Sequence, residues 1–161
     1  MKTPSLIERY ILVRPPVRAP IEFAIIVVVG ILGGMFDWMR LPFRPYSNIL
    51  GAAICIAGCL IHLRCHRDHR QALDRNEQIE ALVTTGVFSK VRHPMYSSLI
   101  LIYIGLAIAW GVAWLLIPAV GFSVITVATA CREEDYLLQE FAREYREYRR
   151  TVPWRFIPHV F

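Results

Sequence analysis

Apolar residues gather into four long runs, at about 20–39, 46–64, 94–110 and 112–131, and polar residues fill the stretches between them. A helix needs about 20 apolar residues, or about 17 at the short end, to cross the hydrocarbon core of a bilayer. The run at 94–110 sits at that lower limit, and the other three reach or approach the full length. The pattern predicts an all-α membrane protein with four transmembrane helices. Only Gly111 and its neighbours separate the third and fourth runs, so these two form an antiparallel helical hairpin. Beyond residue 131, Leu137, Phe141, Tyr145 and Tyr148 recur at helical spacing among charges. They predict a C-terminal cytoplasmic amphipathic helix lying along the membrane surface.

Proline and glycine set the boundaries. Pro20 suits the first turn of a helix, where a missing N–H costs nothing, and the first span is read from Ile21 to Met39. Pro42 and Pro45 stop helices on both sides of a short outer loop. The second span runs on past the membrane as a polar helix to about Ile79. Thr84, Thr85 and Gly86 break the chain before Pro94 opens the third span, with His93 near the cap. Pro118 and Gly121 predict a kink in the fourth span. Gly30, Gly33 and Gly34 in the first span, and Gly51 and Gly58 in the second, let another helix approach closely. The first set permits a homodimer. No repeat or convincing boundary divides the chain, which reads as one membrane domain over 1–161. Its N-terminal part (1–79) holds an arm and two spans, and its C-terminal part (80–161) holds the polar junctions.

Charge fixes the expected topology. The formal net charge is +5. Lys2, Arg9, Arg14 and Arg18 precede the first span. Arg67, Arg70, Arg75, Lys90 and Arg92 lie between the second and third, and Arg132 to Arg155 carry six more after the fourth. Positive residues mark cytoplasmic loops, so both termini and the 65–93 loop are expected on the cytoplasmic side, facing anionic lipid. Nucleic acid is not an expected partner, since no groove-reading motif accompanies the charge. The basic N-terminus lacks a small-residue cleavage site, so the first helix is expected to be retained.

Two polar clusters meet at the cytoplasmic ends of the hairpin. Arg92, His93 and Tyr96 stand where the third span begins, and Arg132, Glu133 and Glu134 where the fourth ends. Ionisable groups at membrane depth are costly and take a partner or a ligand. Carboxylates suit an ammonium group and Arg or His suits a carboxylate, so together they suit a zwitterionic, amino-acid-like ligand. A salt-bridged helix junction explains the same residues equally well. His62, Cys65, His66 and His69 share one helical face, as metal ligands would, but no second segment offers a further ligand. A hydrated helix end is the simpler reading and no metal is assigned. Phosphate-binding, dinucleotide and zinc-protease motifs are absent from the sequence.

Leu82-Val83-Thr84-Thr85-Gly86-Val87-Phe88, followed by Val91-Arg92-His93-Pro94-Met95-Tyr96, resembles the cofactor segment of the isoprenylcysteine carboxyl methyltransferases, whose superfamily includes the phospholipid methyltransferases. Glu133-Glu134, Leu137, Phe141, Glu144-Tyr145, Tyr148 and Val152-Pro153 continue the resemblance, which covers about residues 80–158. It implies an integral membrane enzyme that uses S-adenosyl-L-methionine on a lipophilic substrate drawn from membrane lipid. It implies cofactor binding by Ala81, Leu82, Val83, Gly86, Phe88, Arg92, His93, Pro94, Met95, Tyr96, Glu133 and Glu134. His93, Tyr96 and Arg132 become the candidate catalytic residues, Arg132 for an anionic substrate group. Glu80 stands where the prenylcysteine enzymes have His, and Ser98 where such families often have Gly. A carboxylate, an amine or a thiol acceptor all remain compatible. Sterol reductases share an Arg-His-Pro junction and a tail like Val152-Pro153-Trp154-Arg155-Phe156-Ile157-Pro158. A nicotinamide-dependent membrane reductase is therefore the alternative, and a scaffold without chemistry the third reading.

Overall fold

The computed structural model describes Tyr10 and residues 15–75 and 82–160, with backbone alone for 15–16 and 70–75. The expectations for Glu80 and Ala81 fall outside the described residues. Five α-helices are described: α1 (Pro15–Met35), α2 (Tyr46–Arg75), α3 (Pro94–Trp110), α4 (Leu116–Glu140) and α5 (Ala142–Thr151). Short 3-10 turns at Gly86–Ser89 and Ala113–Leu115 precede α3 and α4. Among the described residues the only bridge is an isolated antiparallel pairing of Arg40 with Val112, which ties the α1–α2 loop to the α3–α4 loop.

Among the described residues, three helices are long and apolar enough to cross a membrane: Val17–Met35, Tyr46–His69 and Ala113–Glu140. Helix α3 has 17 residues, about 25 Å at 1.5 Å per residue, against a core of roughly 30 Å. Large apolar side chains such as Ile25, Val28, Ile49, Leu60, Ile117 and Val124 point away from the protein and are exposed. A contiguous apolar surface of this kind is one that lipid covers.

Several boundaries differ from expectation. Helix α1 includes Pro20 in its interior, because Pro15 and Pro16 already occupy its start. Helix α4 begins at Leu116. Pro118 therefore falls in a first turn whose N–H groups need no intrahelical acceptor, and it does not demand a kink. The polar extension of α2 is continuous to Arg75. Gly111 closes α3 with a left-handed φ of 75°. Its N–H returns to the carbonyls of Ala107 and Ile108, which turns the chain within a few residues into α4.

The tightest packing is between α2 and α3. A Cβ on Gly51 would lie 2.2 Å from the Ala109 backbone N, and one on Gly105 would lie 2.4 Å from the Cys55 N. These glycines let the two backbones touch, as small residues do at helix crossings in membranes. Gly105→Val is expected to push α3 off α2 and cost about 1–3 kcal/mol or more. Gly34→Val is the control, since no atom lies within 4 Å of a Cβ there. Thermal unfolding in detergent should separate the two variants. Gly30 and Gly33 of α1 are already taken up inside the chain, against Trp110 and Val112. The first-span packing that suggested a homodimer thus leaves only Gly34 open.

Candidate functional site

The chain between α2 and α3 is held in place before any cavity forms. Gly86 adopts a left-handed φ of 64°, and a Cβ there would meet Asp68 Oδ2 at 2.2 Å. Only glycine meets both conditions. The room it leaves lets Asp68 Oδ2 accept the Val87 N–H at 2.9 Å. Asp68 in turn lies 3.5 Å from Arg64 Nε. Gly86 therefore fastens the 82–90 segment to the end of α2 and does not line a cavity.

Helix α5 closes the other side. Helix α4 ends at Glu140, and Phe141, at φ −110° and ψ 27°, swings the chain into α5. Tyr145, Tyr148 and Val152 then form a buried cluster with Leu82, Leu137 and Phe141. The apolar face expected along the membrane surface is thus spent on the protein interior. Tyr148 donates to the Phe88 carbonyl at 2.6 Å. Burial pushes the Tyr145 phenol up to about 12, so it is neutral at physiological pH. Tyr148→Phe should cost about 1 kcal/mol and speed amide exchange around Phe88. Unchanged exchange there would contradict this bond.

Behind this wall sits Glu134, buried under the side chains of Arg92, His93 and Arg155. Its Oε1 accepts from Arg92 Nε at 2.8 Å and lies 3.1 Å from His93 Nε2. A carboxylate only accepts, so His93 Nε2 carries the proton. Oε2 accepts from Arg155 Nε at 3.1 Å, with Arg155 Nη2 at 2.9 Å. Arg92 Nη1 also donates to the carbonyls of Val152 and Pro153. The Arg92 and His93 N–H groups donate to the carbonyls of Trp154 and Arg155, each at 2.9 Å. Ser97 Oγ donates to the Phe156 carbonyl at 2.9 Å. Pro153 forbids the residue before it from staying helical, so the tail extends from Val152 and straps across the start of α3.

These elements enclose a cavity of about 600 Å³, a size ordinary for a small-molecule site. Of the expected residues, Leu82, Val83, Phe88, Arg92, His93, Met95, Tyr96 and Glu133 line it. Gly86, Pro94, Arg132 and Glu134 are not in its wall. Pro94 is buried at the first helical position and Arg132 is exposed. Tyr136, Glu140, Phe141, Tyr145 and Tyr148 complete the C-terminal side. Glu133 Oε2 is buried and has no hydrogen-bond partner, while the same carboxylate lies beside the Tyr96 phenol.

The N-terminal half also contributes, through Ala19 and Phe23 of α1 and His62, His66 and His69 of α2. The helical spacing of the histidines was visible in the sequence, but their direction was not. Cys65 is buried and is not in the cavity wall, and no group of three or more metal-ligating side chains converges among the described residues. Next to Ala19, Arg18 and Glu22 are both 1% exposed and lie 3.0 Å apart. Arg18 donates to Thr129 Oγ1 at 2.8 Å, and Glu22 accepts from Tyr10 and Tyr103. A position near the end of an apolar run suggests interfacial placement for Glu22. The buried network instead pins α1 to α3 and α4.

A family model described as phospholipid methyltransferase matches residues 46–144, more than half of the chain. A Delta(14)-sterol reductase from Mus musculus is 30% identical over 82 residues, which are 50% of this chain and 20% of that protein. Protein-S-isoprenylcysteine O-methyltransferase B from Arabidopsis thaliana is 35% identical over 83 residues, 49% of this chain and 41% of that protein. The chain spans less than half the length of either relative.

Proposed function

Because the chain belongs to the phospholipid methyltransferase family, we propose that it transfers a methyl group from S-adenosylmethionine to a lipophilic acceptor. The acceptor reaches the cavity from the bilayer, and the cofactor from the cytoplasmic side. The observation that carries this reading is the Glu133 carboxylate, which lines the cavity and keeps a buried oxygen without a hydrogen-bond donor. An unpaired buried acceptor is costly, and the ammonium group of an amino-acid-like cofactor relieves that cost.

The remaining walls fit the same group. Arg92 and His93 line the cavity beside Glu134, their common carboxylate partner. With Arg155 on the same carboxylate, positive charge exceeds negative there, which suits the cofactor's carboxylate. Phe88, Phe141, Tyr145 and Tyr148 offer apolar ring surface for an adenine, whose stacking is favourable. When bound, the cofactor supplies a methyl group on a sulfonium with a neutral thioether as leaving group. What remains for the protein is alignment and exclusion of water. Leu82, Val83, Phe88 and Met95 exclude water in this reading, Glu133 and Tyr96 orient, and Glu134 keeps Arg92 and His93 in place from behind. Arg132 is exposed and has no part in that arrangement.

A nicotinamide-dependent reductase is the second reading, favoured by the similarity to a sterol reductase and by the Val152–Pro158 tail. That tail accepts hydrogen bonds from Arg92 and His93, so its sequence is accounted for by strapping the helix start, whatever the cofactor. Protein in lipid nanodiscs, given methyl-labelled S-adenosylmethionine and a membrane lipid extract, is expected to place label in an organic-soluble product. Label confined to the aqueous phase under conditions where the protein binds the cofactor would count against the reading.

A further inference from the structure

His62 and His66 line the cavity from α2, and their protons are set by a chain of contacts. Ser98 Oγ lies 2.6 Å from the Met95 carbonyl. A carbonyl only accepts, so the Ser98 proton lies on that bond. Ser98 Oγ is then an acceptor toward His62 Nδ1, 2.8 Å away. His62 therefore carries its proton on Nδ1 and presents a lone pair at Nε2. That lone pair faces His66 Nε2 at 3.2 Å, so His66 donates from Nε2 and keeps its lone pair at Nδ1. A proton taken up at His66 Nδ1 leaves every one of these bonds intact and makes the bond to His62 charge-assisted. A proton added to His62 Nε2 would set two N–H groups against each other. His66 is thus the member of the pair that can gain a proton, and it is exposed, so it can pass that proton to water.

We infer that His66 is the proton acceptor of the methyl-transfer site, positioned by His62 and Ser98, and that the acceptor substrate is a nucleophile whose heteroatom carries a proton, an amine or a thiol. The inference rests on the methyltransferase reading. The heteroatom lone pair forms the new bond to the methyl carbon. The bond from that carbon to the donor sulfur breaks, with its electron pair staying on sulfur. The proton on the heteroatom moves to His66 Nδ1. A carboxylate acceptor has no proton to lose and would leave the pair without a task. The other charged and titratable groups in the same cavity wall are His69 on α2, Arg92 and His93 before α3, and Tyr96 on α3. Glu133, Tyr136 and Glu140 follow on α4, and Tyr145 and Tyr148 on α5. Ser98 stands where the resembling enzymes often have Gly, and a glycine there would leave His62 Nδ1 without its acceptor.

The test uses the full chain in nanodiscs with three acceptors: phosphatidylethanolamine, a long-chain alkyl thiol, and N-acetyl-S-farnesylcysteine, whose only nucleophile of this kind is a carboxylate. The wild type is expected to methylate the amine or the thiol, at a rate that rises with pH. His66→Gln should lower that rate about 100-fold, flatten the rise, and recover in part with added imidazole, while S-adenosylhomocysteine affinity changes less than about threefold. Nitrogen NMR of histidine-labelled protein should show His62 protonated at Nδ1 and His66 at Nε2, with Ser98→Gly disturbing the His62 assignment. Methylation of the carboxylate alone, a His66→Gln variant with unchanged rate and pH profile, or the opposite tautomers would each overturn the inference. Failure to bind S-adenosylhomocysteine at all would instead remove the methyltransferase reading, and the tautomers would still decide the proton chain.

Discussion

Glu134→Ala is expected to destabilise the protein by about 3–5 kcal/mol, the usual cost of removing one partner from a buried ion pair. Arg92 and Glu134 have side chains 4% and 3% exposed, and His93 is 5% exposed. Removing the carboxylate leaves both Arg92 and a histidine N–H buried without their acceptor. It also takes one partner from Arg155, which belongs to the tail that accepts the Arg92 and His93 N–H groups. Two losses therefore coincide, one electrostatic and one in the strap that fixes the start of α3. Glu134→Gln keeps the shape and one acceptor oxygen, but points an N–H group at a cation, so it should lie between wild type and Ala. For a chain of this length the Ala variant should lower Tm by roughly 6–20 °C. A fall of less than about 2 °C would show that Arg92, His93 and Arg155 find other partners.

The second large effect concerns binding rather than stability. Glu133 lies one residue before Glu134 on α4, yet it lines the cavity while Glu134 lies behind the wall. Glu133→Gln removes the charge and keeps the volume. The mutation should weaken S-adenosylhomocysteine binding by roughly 10–100-fold, the equivalent of about 1.5–3 kcal/mol for a hydrogen bond to a charged group. Stability should hold or rise, since a buried oxygen without a partner is replaced by a neutral amide. The two adjacent carboxylates are thus expected to fail in opposite ways, one by unfolding and one by losing ligand. Equal affinity in wild type and Glu133→Gln would remove the carboxylate from the cofactor's ammonium.

Much of this was legible in the sequence because helix-forming apolar runs and proline positions are local signals. Pro94 at the first turn of α3, Gly111 at its end and the long polar extension of α2 all follow from such signals. The third run was marginal by length and its helix is short, at 17 residues. Long-range packing was not legible. The spacing of Leu137, Phe141, Tyr145 and Tyr148 gave an amphipathic helix, but not that its apolar face turns into a cavity. Arg18 looked like one of the topology-setting charges and Glu22 like an interfacial one, because nothing local says that Tyr103 and Thr129 wait to receive them. The adjacent carboxylates were equivalent in the sequence, since a helix separates neighbours by about 100° and only the packed structure says which face is the wall.

The central claim is that this integral membrane chain holds a methyl-donor cofactor against Glu133. Calorimetric titration of the detergent-solubilised protein with S-adenosylhomocysteine, and separately with NADPH, tests it most directly. Saturable binding of S-adenosylhomocysteine that Glu133→Gln weakens, with no binding of NADPH, is the predicted result. Saturable NADPH binding with none for S-adenosylhomocysteine would contradict it.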